Sequence, residues 1–309
     1  MNIENLTVDV VIPVYRPKEE FSELIRNLER QNRKIQHIYL MHTLDGQKLP
    51  DIVEEYDNIV VEDILPEEFD HGGTRDSAIQ KSNADIVVCM TQDALPVDEY
   101  LINELIRPLE NEKIVVSYAR QIPKKNCSLI ECYTRRFNYP ETSRIKSKKN
   151  ISELGIKTYF CSNVCAAYNK KKYLELGGFE KRTIFSEDMI FAAGCIKNGY
   201  CVSYTAEAKV AHSHNYSGLQ QFKRNFDLAV SQAQHPLIFQ NIRSESEGIR
   251  MVKDTAVFLL KSKKPWLLVS LIVQSGAKYM GYLMGKNYDR FPMWLVYRCT
   301  SNPRYWNRR

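Results

Sequence analysis

Strand-like and helix-like segments alternate five times over the first 120 residues of this chain, with short links between them. That alternation is the signature of a doubly wound α/β sheet, mostly parallel and flanked by helices. Residues 8–15 (VDVVIPVY), 36–41 (QHIYLM), 59–61, 86–90 and 114–118 are the strands. Phe21, Leu24, Ile25 and Leu28 recur at helical spacing after the first strand. The segment 86–90 is apolar throughout and bounded by polar residues, as a strand buried on both faces must be. It stops at Thr91-Gln92-Asp93, and the edge where such strands end is where open α/β sheets bind ligands. Pro96 then turns the chain, and Asp98 is the expected N-cap of a helix carrying Leu101, Ile102, Leu105 and Ile106.

After residue 120 the pattern loosens. A helix is expected around Leu129–Phe137, ended by Pro140, then a mobile polar loop over 141–157. A strand over 160–167 and a helix over 170–176 follow. Ser186-Glu187-Asp188 resembles a helix start, and strand-like segments at 200–204 and 209–211 lead into His212-Ser213-His214. Beyond 217 only helical patterns remain, so the division expected is a catalytic domain over 1–215 and a helical extension over 216–309.

At 44% apolar and 26% charged residues, the chain is globular in composition, not disordered. Its eight cysteines include no C-x-x-C pair, which suits buried thiols in a reducing compartment. The opening MNIENLTVDV lacks a basic start and apolar core, so a cytoplasmic protein is expected. Charge is uneven. From Lys261 to Arg309 ten Lys or Arg stand against one acid, Asp289, a balance of +9 that leaves −3 on the rest of a +6 chain. Aromatic residues crowd the same tail, as at a boundary between water and lipid. Its most apolar run, 265–277, rises only about 20 Å as a helix, short of a ~30 Å hydrocarbon core. The tail is therefore expected to lie on an anionic membrane surface, or to pack on the catalytic domain or on a second subunit of a homo-oligomer. Nucleic-acid binding is disfavoured, because the basic residues interleave with apolar ones and no recognition module is present.

Five strand or turn ends carry polar residues without a packing reason: Tyr15, Asp45, Arg75, Asp93 and the pair His212/His214. Gly72-Gly73 opening a helix beside Arg75 offers N–H and cationic donors to a phosphate, though an ordinary helix-entry turn explains the glycines equally well. A divalent metal on a diphosphate needs few protein ligands, and one carboxylate with imidazole favours Mn²⁺ over Mg²⁺.

The segments VVIPVY, GGTRDSA, TQDA, GGFEKRTIFSEDMIFA and HSH, in this order and spacing, resemble a family 2 glycosyltransferase of the GT-A fold over residues 8 to about 215. FDHGGTR with TQDALP, and the tail KYMGYLMGKNYDRFPMWLVYRCTSNPRYW, are similar to bacterial rhamnosyltransferases that build surface polysaccharides. The resemblance implies that Pro13 and Tyr15 bed the pyrimidine and ribose of a nucleotide sugar, with Asp45 a base contact and Arg75 near base and diphosphate. Gln92-Asp93 stands where the family has its acidic metal motif, and only Asp93 keeps a carboxylate. Asp188 matches the catalytic base with Glu187 beside it, its charge favoured by the helix dipole, and His212 or His214 matches a metal or phosphate ligand. Ser162 and Asn163 are expected on the acceptor side.

The function so implied is inverting transfer of L-rhamnose from dTDP-β-L-rhamnose to a polyprenyl-diphosphate-linked glycan, with Mn²⁺ or Mg²⁺, at the inner face of the cell membrane. A UDP-hexose or UDP-N-acetylhexosamine donor is the alternative within the class. Two readings lie outside it. A sugar-nucleotidyltransferase would carry a glycine- and arginine-rich loop after the first strand, where this chain has Arg16-Pro17-Lys18. A non-catalytic scaffold of a polysaccharide assembly complex would fit the thinned metal motif, but not the joint presence of Asp93, Asp188 and Arg75.

Overall fold

The computed structural model describes residues 3–240 and 245–307. Among them the strands are β1 (Val8–Val14), β2 (Ile38–Thr43), β3 (Ile59–Ile64), β4 (Ile86–Met90), β5 (Leu95–Pro96), β6 (Ile114–Ile122), β7 (Arg144–Lys146), β8 (Cys165–Asn169) and β9 (Cys201–Ala211). The helices that precede residue 200 are α1 (Glu20–Glu29), α2 (His71–Lys81), α3 (Leu101–Ile106), α4 (Leu129–Asn138), α5 (Ile151–Leu154), α6 (Lys170–Glu175) and α7 (Glu187–Lys197). The C-terminal helices are α8 (Gly218–Gln234), α9 (Pro236–Phe239), α10 (Glu245–Lys261), α11 (Leu267–Lys286), α12 (Met293–Cys299) and α13 (Pro303–Trp306). Arg308 and Arg309 of the basic tail lie outside the described residues.

The strands form one mixed sheet in the order β3-β2-β1-β4-β8-β6-β9-β5, with β7 on β9. Strands β1 to β4 are mutually parallel, β8 runs against β4 and β6, and β9 is parallel to β6. The expected α/β class, mostly parallel and flanked by helices, is what the chain adopts. Val8, Val10, Ile12, Ile86 and Val88 anchor its core with Phe21, Leu24, Ile25 and Leu28 of α1. Asp9 is buried in the middle of β1 yet satisfied, since His37 N–H and Ser82 Oγ donate to its two oxygens. The two strand segments expected at 200–204 and 209–211 are one strand. Its register against β6 breaks between Ala119 and Arg120, where Thr205 gives way to Lys209.

Three expectations need correction. The strand expected over 160–167 begins only at Cys165. Asp98 does not cap α3, which starts at Leu101 without a side-chain cap, and its carboxylate takes the Tyr100 N–H instead. The stretch 141–157 is not a featureless loop. β7 pairs with β9, and Ser147 with Asn150 forms a capping box. Lys146 drives this order: its Nζ is buried, donates to Tyr118 Oη (3.0 Å) and to the carbonyls of Lys157 and Phe160, and lies 4.6 Å over the Tyr118 ring. Burial pushes its pKa down to about 7.

The chain divides into two compact units. One holds the sheet: Met1–Ile122, Tyr139–Lys181 and Glu187–His212. The other gathers Pro123–Asn138, Arg182–Ser186 and Ser213–Arg309, so the chain passes between units more often than a single boundary at 215 would require. The second unit has its own apolar cluster of Ile184, Phe226, Val230, Val296 and Trp306. Within it α8 and α11 pack backbone to backbone at Gly281 and Gly285. A Cβ at either would lie 2.2 Å from the carbonyl oxygen of Phe222 or Phe226. Buried Asp227 accepts from Thr300 Oγ1 and from Ser301 N–H and Oγ, tying the end of α12 to α8.

Gly285→Ala is expected to cost about 1–3 kcal/mol by overpacking, with a melting temperature several degrees lower. Gly276→Ala, on the same helix with nothing within 4 Å of the added carbon, should be neutral or mildly stabilising in the same melt.

Candidate active site

The C-terminal ends of the parallel strands bring Tyr15, Gln92 and Asp93 to one sheet edge. Register aligns Val14 with His42 and Thr43 with Ile64, so Tyr15, His42, Thr43 and the segment after Met90 share that edge. Pro13, without an N–H, is tolerated in this central strand because pairing with β4 has ended at Val11. Beyond that point Gln92 takes over from the ladder. Its amide accepts from Tyr15 N–H (2.8 Å) and donates to the Tyr15 carbonyl (2.9 Å). A carboxylate could make only the first bond, which accounts for an amide at a position where the family resemblance implies an acidic motif. Asp45 is engaged as well, accepting from Arg16 Nε (3.1 Å) and Gln47 N–H (3.0 Å). Arg16 adopts a positive φ of 48° and its guanidinium covers the exposed Tyr15 ring at 5.1 Å.

The glycine turn is an ordinary helix entry, one of the two readings the sequence allowed. Asp70 caps α2 and takes the Gly73 N–H itself. Gly72 is a glycine because a Cβ there would lie 2.4 Å from the Glu180 carbonyl oxygen. The turn serves close packing, and it lets α2 carry Arg75 inward. Arg75 is buried, donates from Nη1 to the His71 carbonyl (2.8 Å) and pairs with buried Glu187 at 3.2 Å.

Asn163 joins this pair from the loop before β8. Its Nδ2 donates to Glu187 Oε1 (3.0 Å), its backbone N–H donates to Asp188 Oδ2 (2.9 Å), and Tyr168 Oη donates to its Oδ1 (2.6 Å). Asn163 is thus buried and bonded to both carboxylates, a residue the sequence had suggested for the acceptor side. Ser162 accepts from Gln121 Nε2 at 3.0 Å. The adjacent carboxyls are driven apart. Burial opposes ionisation of Glu187, but Arg75, His71 and the Asn163 hydrogen bond outweigh it and hold the pKa below the usual range. Burial and the Glu187 charge raise Asp188 to about 7, against the N–H bonds from Asn163 and Met189. The helix dipole expected to keep Asp188 ionised is therefore overcome.

Across the same edge His212 Nε2 lies 3.5 Å from Asp93 Oδ1. The tautomer follows from the neighbouring amide. Gln121 Nε2 donates to Tyr139 Oη and Ser162 Oγ, so its Oε1 is the acceptor and the His212 Nδ1 at 2.9 Å is the donor. Nε2 is then the ring nitrogen that faces the Asp93 carboxylate, the position from which an imidazole could take a metal cation together with it. His214 follows two residues on, so covalent continuity keeps it close. One ligand atom from each of Asp93, His212 and His214 lies within 4.8 Å of the others, and the three form a group able to take a divalent cation.

His42, Thr43 and Thr91 were not singled out in the sequence as site residues. His42 is buried and bonds Asp63 at 2.8 Å. Five buried side-chain polar atoms lack a partner among the described residues, and three of them, Thr43 Oγ1, Arg75 Nε and Thr91 Oγ1, belong to this sheet edge. Buried polar atoms left unsatisfied fit a site that takes a polar ligand. Only the alternation of strand ends with polar residues hinted at them.

Gln92→Glu is expected to destabilise the fold by about 1–3 kcal/mol, because a carboxylate would face the Tyr15 carbonyl without a proton to donate. A melting temperature equal to that of the parent chain would contradict the clamp.

The glycosyl transferase family 2 model matches residues 9–177. The chain is 34% identical over 304 residues to the O-antigen chain rhamnosyltransferase RfbN of Salmonella typhimurium, covering 98% of this chain and 96% of that protein. It is also 34% identical to the O-antigen chain rhamnosyltransferase WbaN of Salmonella anatum, covering 96% of this chain and 95% of that one. Among solved structures it is similar to the Pyrobaculum calidifontis mannosyltransferase PcManGT in complex with GDP-Man and Mn²⁺, at TM-score 0.58 and 14% identity, covering 98% of this chain and 83% of that one. It is likewise similar to S. aureus TarS 1–349 in complex with UDP-GlcNAc, at TM-score 0.54 and 12% identity, covering 92% of each chain. The chain belongs to glycosyl transferase family 2 and is a glycosyltransferase.

Proposed function

We propose that this glycosyltransferase inverts the anomeric centre, moving L-rhamnose from dTDP-β-L-rhamnose to a lipid-linked saccharide in the synthesis of a cell-surface polysaccharide. One observation carries the reading: two adjacent carboxyls in different surroundings, Glu187 paired with the buried Arg75 guanidinium at 3.2 Å and Asp188 held by the Asn163 N–H with no cation among its own hydrogen-bond partners in the described residues. Such a difference separates a permanent charge from a working base. The names of the two Salmonella relatives support the choice of sugar and product.

Asp188 takes the proton of the acceptor hydroxyl as its oxygen bonds the anomeric carbon. The bond from that carbon to the diphosphate oxygen breaks, the electron pair leaves with the nucleoside diphosphate, and a β donor becomes an α linkage. A base with pKa about 7 is well matched to neutral pH. Glu187 stays ionised against Arg75 and makes Asp188 the stronger base. Asn163 fixes both carboxylates in place. Arg75 Nε, without a partner among the described residues, is a donor for the anionic leaving group. Pro13 and Tyr15 bed the pyrimidine and ribose, with Asp45 at their rim. Asp93, His212 and His214 would hold a divalent cation, with the imidazoles favouring Mn²⁺ over Mg²⁺, and when bound it neutralises charge on the diphosphate.

No helix among the described residues is long and apolar enough to cross a membrane. With the +9 balance of residues 261–309, this supports a peripheral position on the anionic inner face of the cell membrane, where a polyprenyl-diphosphate-linked acceptor is presented.

Asp188→Asn is expected to lower kcat at least ~10²-fold while donor binding stays near that of the parent chain. Near-parental turnover would remove Asp188 from the role. In the parent enzyme, activity should rise with pH through about 7, because the base must lose its proton. Glu187→Gln deletes the like charge that raises Asp188, so the same limb should move to lower pH.

For the metal, calorimetric titration with Mn²⁺ should show binding weakened ~10–100-fold in Asp93→Ala. Full activity of the parent enzyme in excess EDTA would overturn the metal's part in transfer.

A further inference from the structure

Helix α11 has two faces of opposite character. Inward, Leu271, Gly281 and Gly285 are buried, the glycines against the carbonyls of Phe222 and Phe226. Outward, Trp266, Val269, Ile272, Val273, Tyr279, Met280 and Leu283 are each between 43% and 69% exposed. Their spacing of three and four draws a single stripe, about 25 Å long at 1.5 Å per residue. Only Lys278 and Lys286 within α11 are charged. Lys278 sits two turns from Leu271 and from Gly285, on the inward side, and interacts with Glu131 and Arg135. The stripe itself is free of charge along its length.

Cations close both ends of it. Lys261, Lys263 and Lys264 precede the stripe, Lys286 and Arg290 follow it, and no acid occurs between Asp254 and Asp289. Lys264 Nζ lies 4.9 Å over the Trp266 ring, and Lys286 Nζ lies 5.1 Å over Tyr282. A contiguous apolar stripe of this size marks a surface that something covers. A second copy of the chain fits poorly. A two-fold axis would set Lys264 against Lys286 or each lysine against itself, like charge on like charge in either direction. A bilayer surface fits on every count: acyl chains for the stripe, anionic headgroups for the terminal lysines, and the interface for Trp266 and Tyr279. The helix cannot span, so it must lie flat.

We propose that α11 is an in-plane anchor, with the Trp266–Leu283 stripe in the acyl boundary of an anionic bilayer and Lys263, Lys264 and Lys286 on its headgroup phosphates. The inference deepens the membrane-surface reading above and rests on it, but not on the identity of the donor.

The test is flotation of the full chain with vesicles of phosphatidylcholine alone or mixed with phosphatidylglycerol. Binding should need the anionic lipid and weaken with added salt. The combined Val269→Ser, Ile272→Ser and Val273→Ser variant should bind at least ~10-fold more weakly at an unchanged melting temperature, since these side chains are exposed in the fold. Lys263→Glu, Lys264→Glu and Lys286→Glu together should abolish the preference for anionic lipid. Equal binding to neutral vesicles, parental binding by both variants, or a stripe variant that turns a dimer into a monomer would each overturn the anchor. A thermal shift with dTDP keeps the two readings apart. A parent chain that responds to dTDP but ignores vesicles loses only the anchor, whereas one that floats but ignores dTDP loses only the dTDP-rhamnose donor.

Discussion

A buried guanidinium against a buried carboxylate, Arg75 on Glu187, is the interaction on which the site depends. Taking two charges out of water costs several kcal/mol per ion, so the pair survives only if other groups complete its hydrogen bonds. The His71 carbonyl does so for Arg75, and Asn163 does so for Glu187. The consequence reaches one residue further. Because Glu187 cannot take up a proton at neutral pH, its charge stands permanently beside Asp188 and makes that carboxyl reluctant to ionise. The backbone prepares the juxtaposition, since Ser186 turns into α7 through a positive φ of 66° that a non-glycine residue adopts only under constraint.

Two glutamines give this edge its rigidity by the same device. Gln92 divides its amide between the N–H and carbonyl of Tyr15, joining the ends of β1 and β4 where the ladder has run out. Gln121 donates to Tyr139 and Ser162 and thereby presents only an acceptor to His212, which decides which imidazole nitrogen faces Asp93. In both cases a side chain with one donor group and one acceptor does what a carboxylate of the same length could not. The orphaned Thr43 and Thr91 hydroxyls beside them mark where such completeness stops and a ligand's polar atoms are expected.

The helical unit obeys a different rule. Gly281 and Gly285, four residues apart, let α11 meet α8 at main-chain distance, which turns the opposite side of α11 outward with its large apolar side chains. Close packing on one face and exposure on the other are thus one consequence of where the glycines fall.

The sequence by itself determined the parallel strands β1 to β4, the helices between them and the sheet edge to look to for a ligand. Those follow from local periodicity: the apolar run 86–90, the helical spacing of Phe21 to Leu28, and polar residues where each apolar run stops. Local signals also misled where a tertiary partner decided the outcome. Lys146 lay in a polar stretch that looked like a loop, and only Tyr118 and two carbonyls make it a buried strand residue. Asp188 at a helix start looked ionised until the burial around it and the charge of Glu187 were counted. Asn163, in a strand-end turn, could not be seen as the brace of two carboxylates more than twenty residues away. Arg75 and Glu187 are separated by 112 positions, and Gln121 and His212 by 91. Charge, burial and hydrogen-bond partnership across such distances are properties of the folded neighbourhood, and only the tertiary structure could decide them.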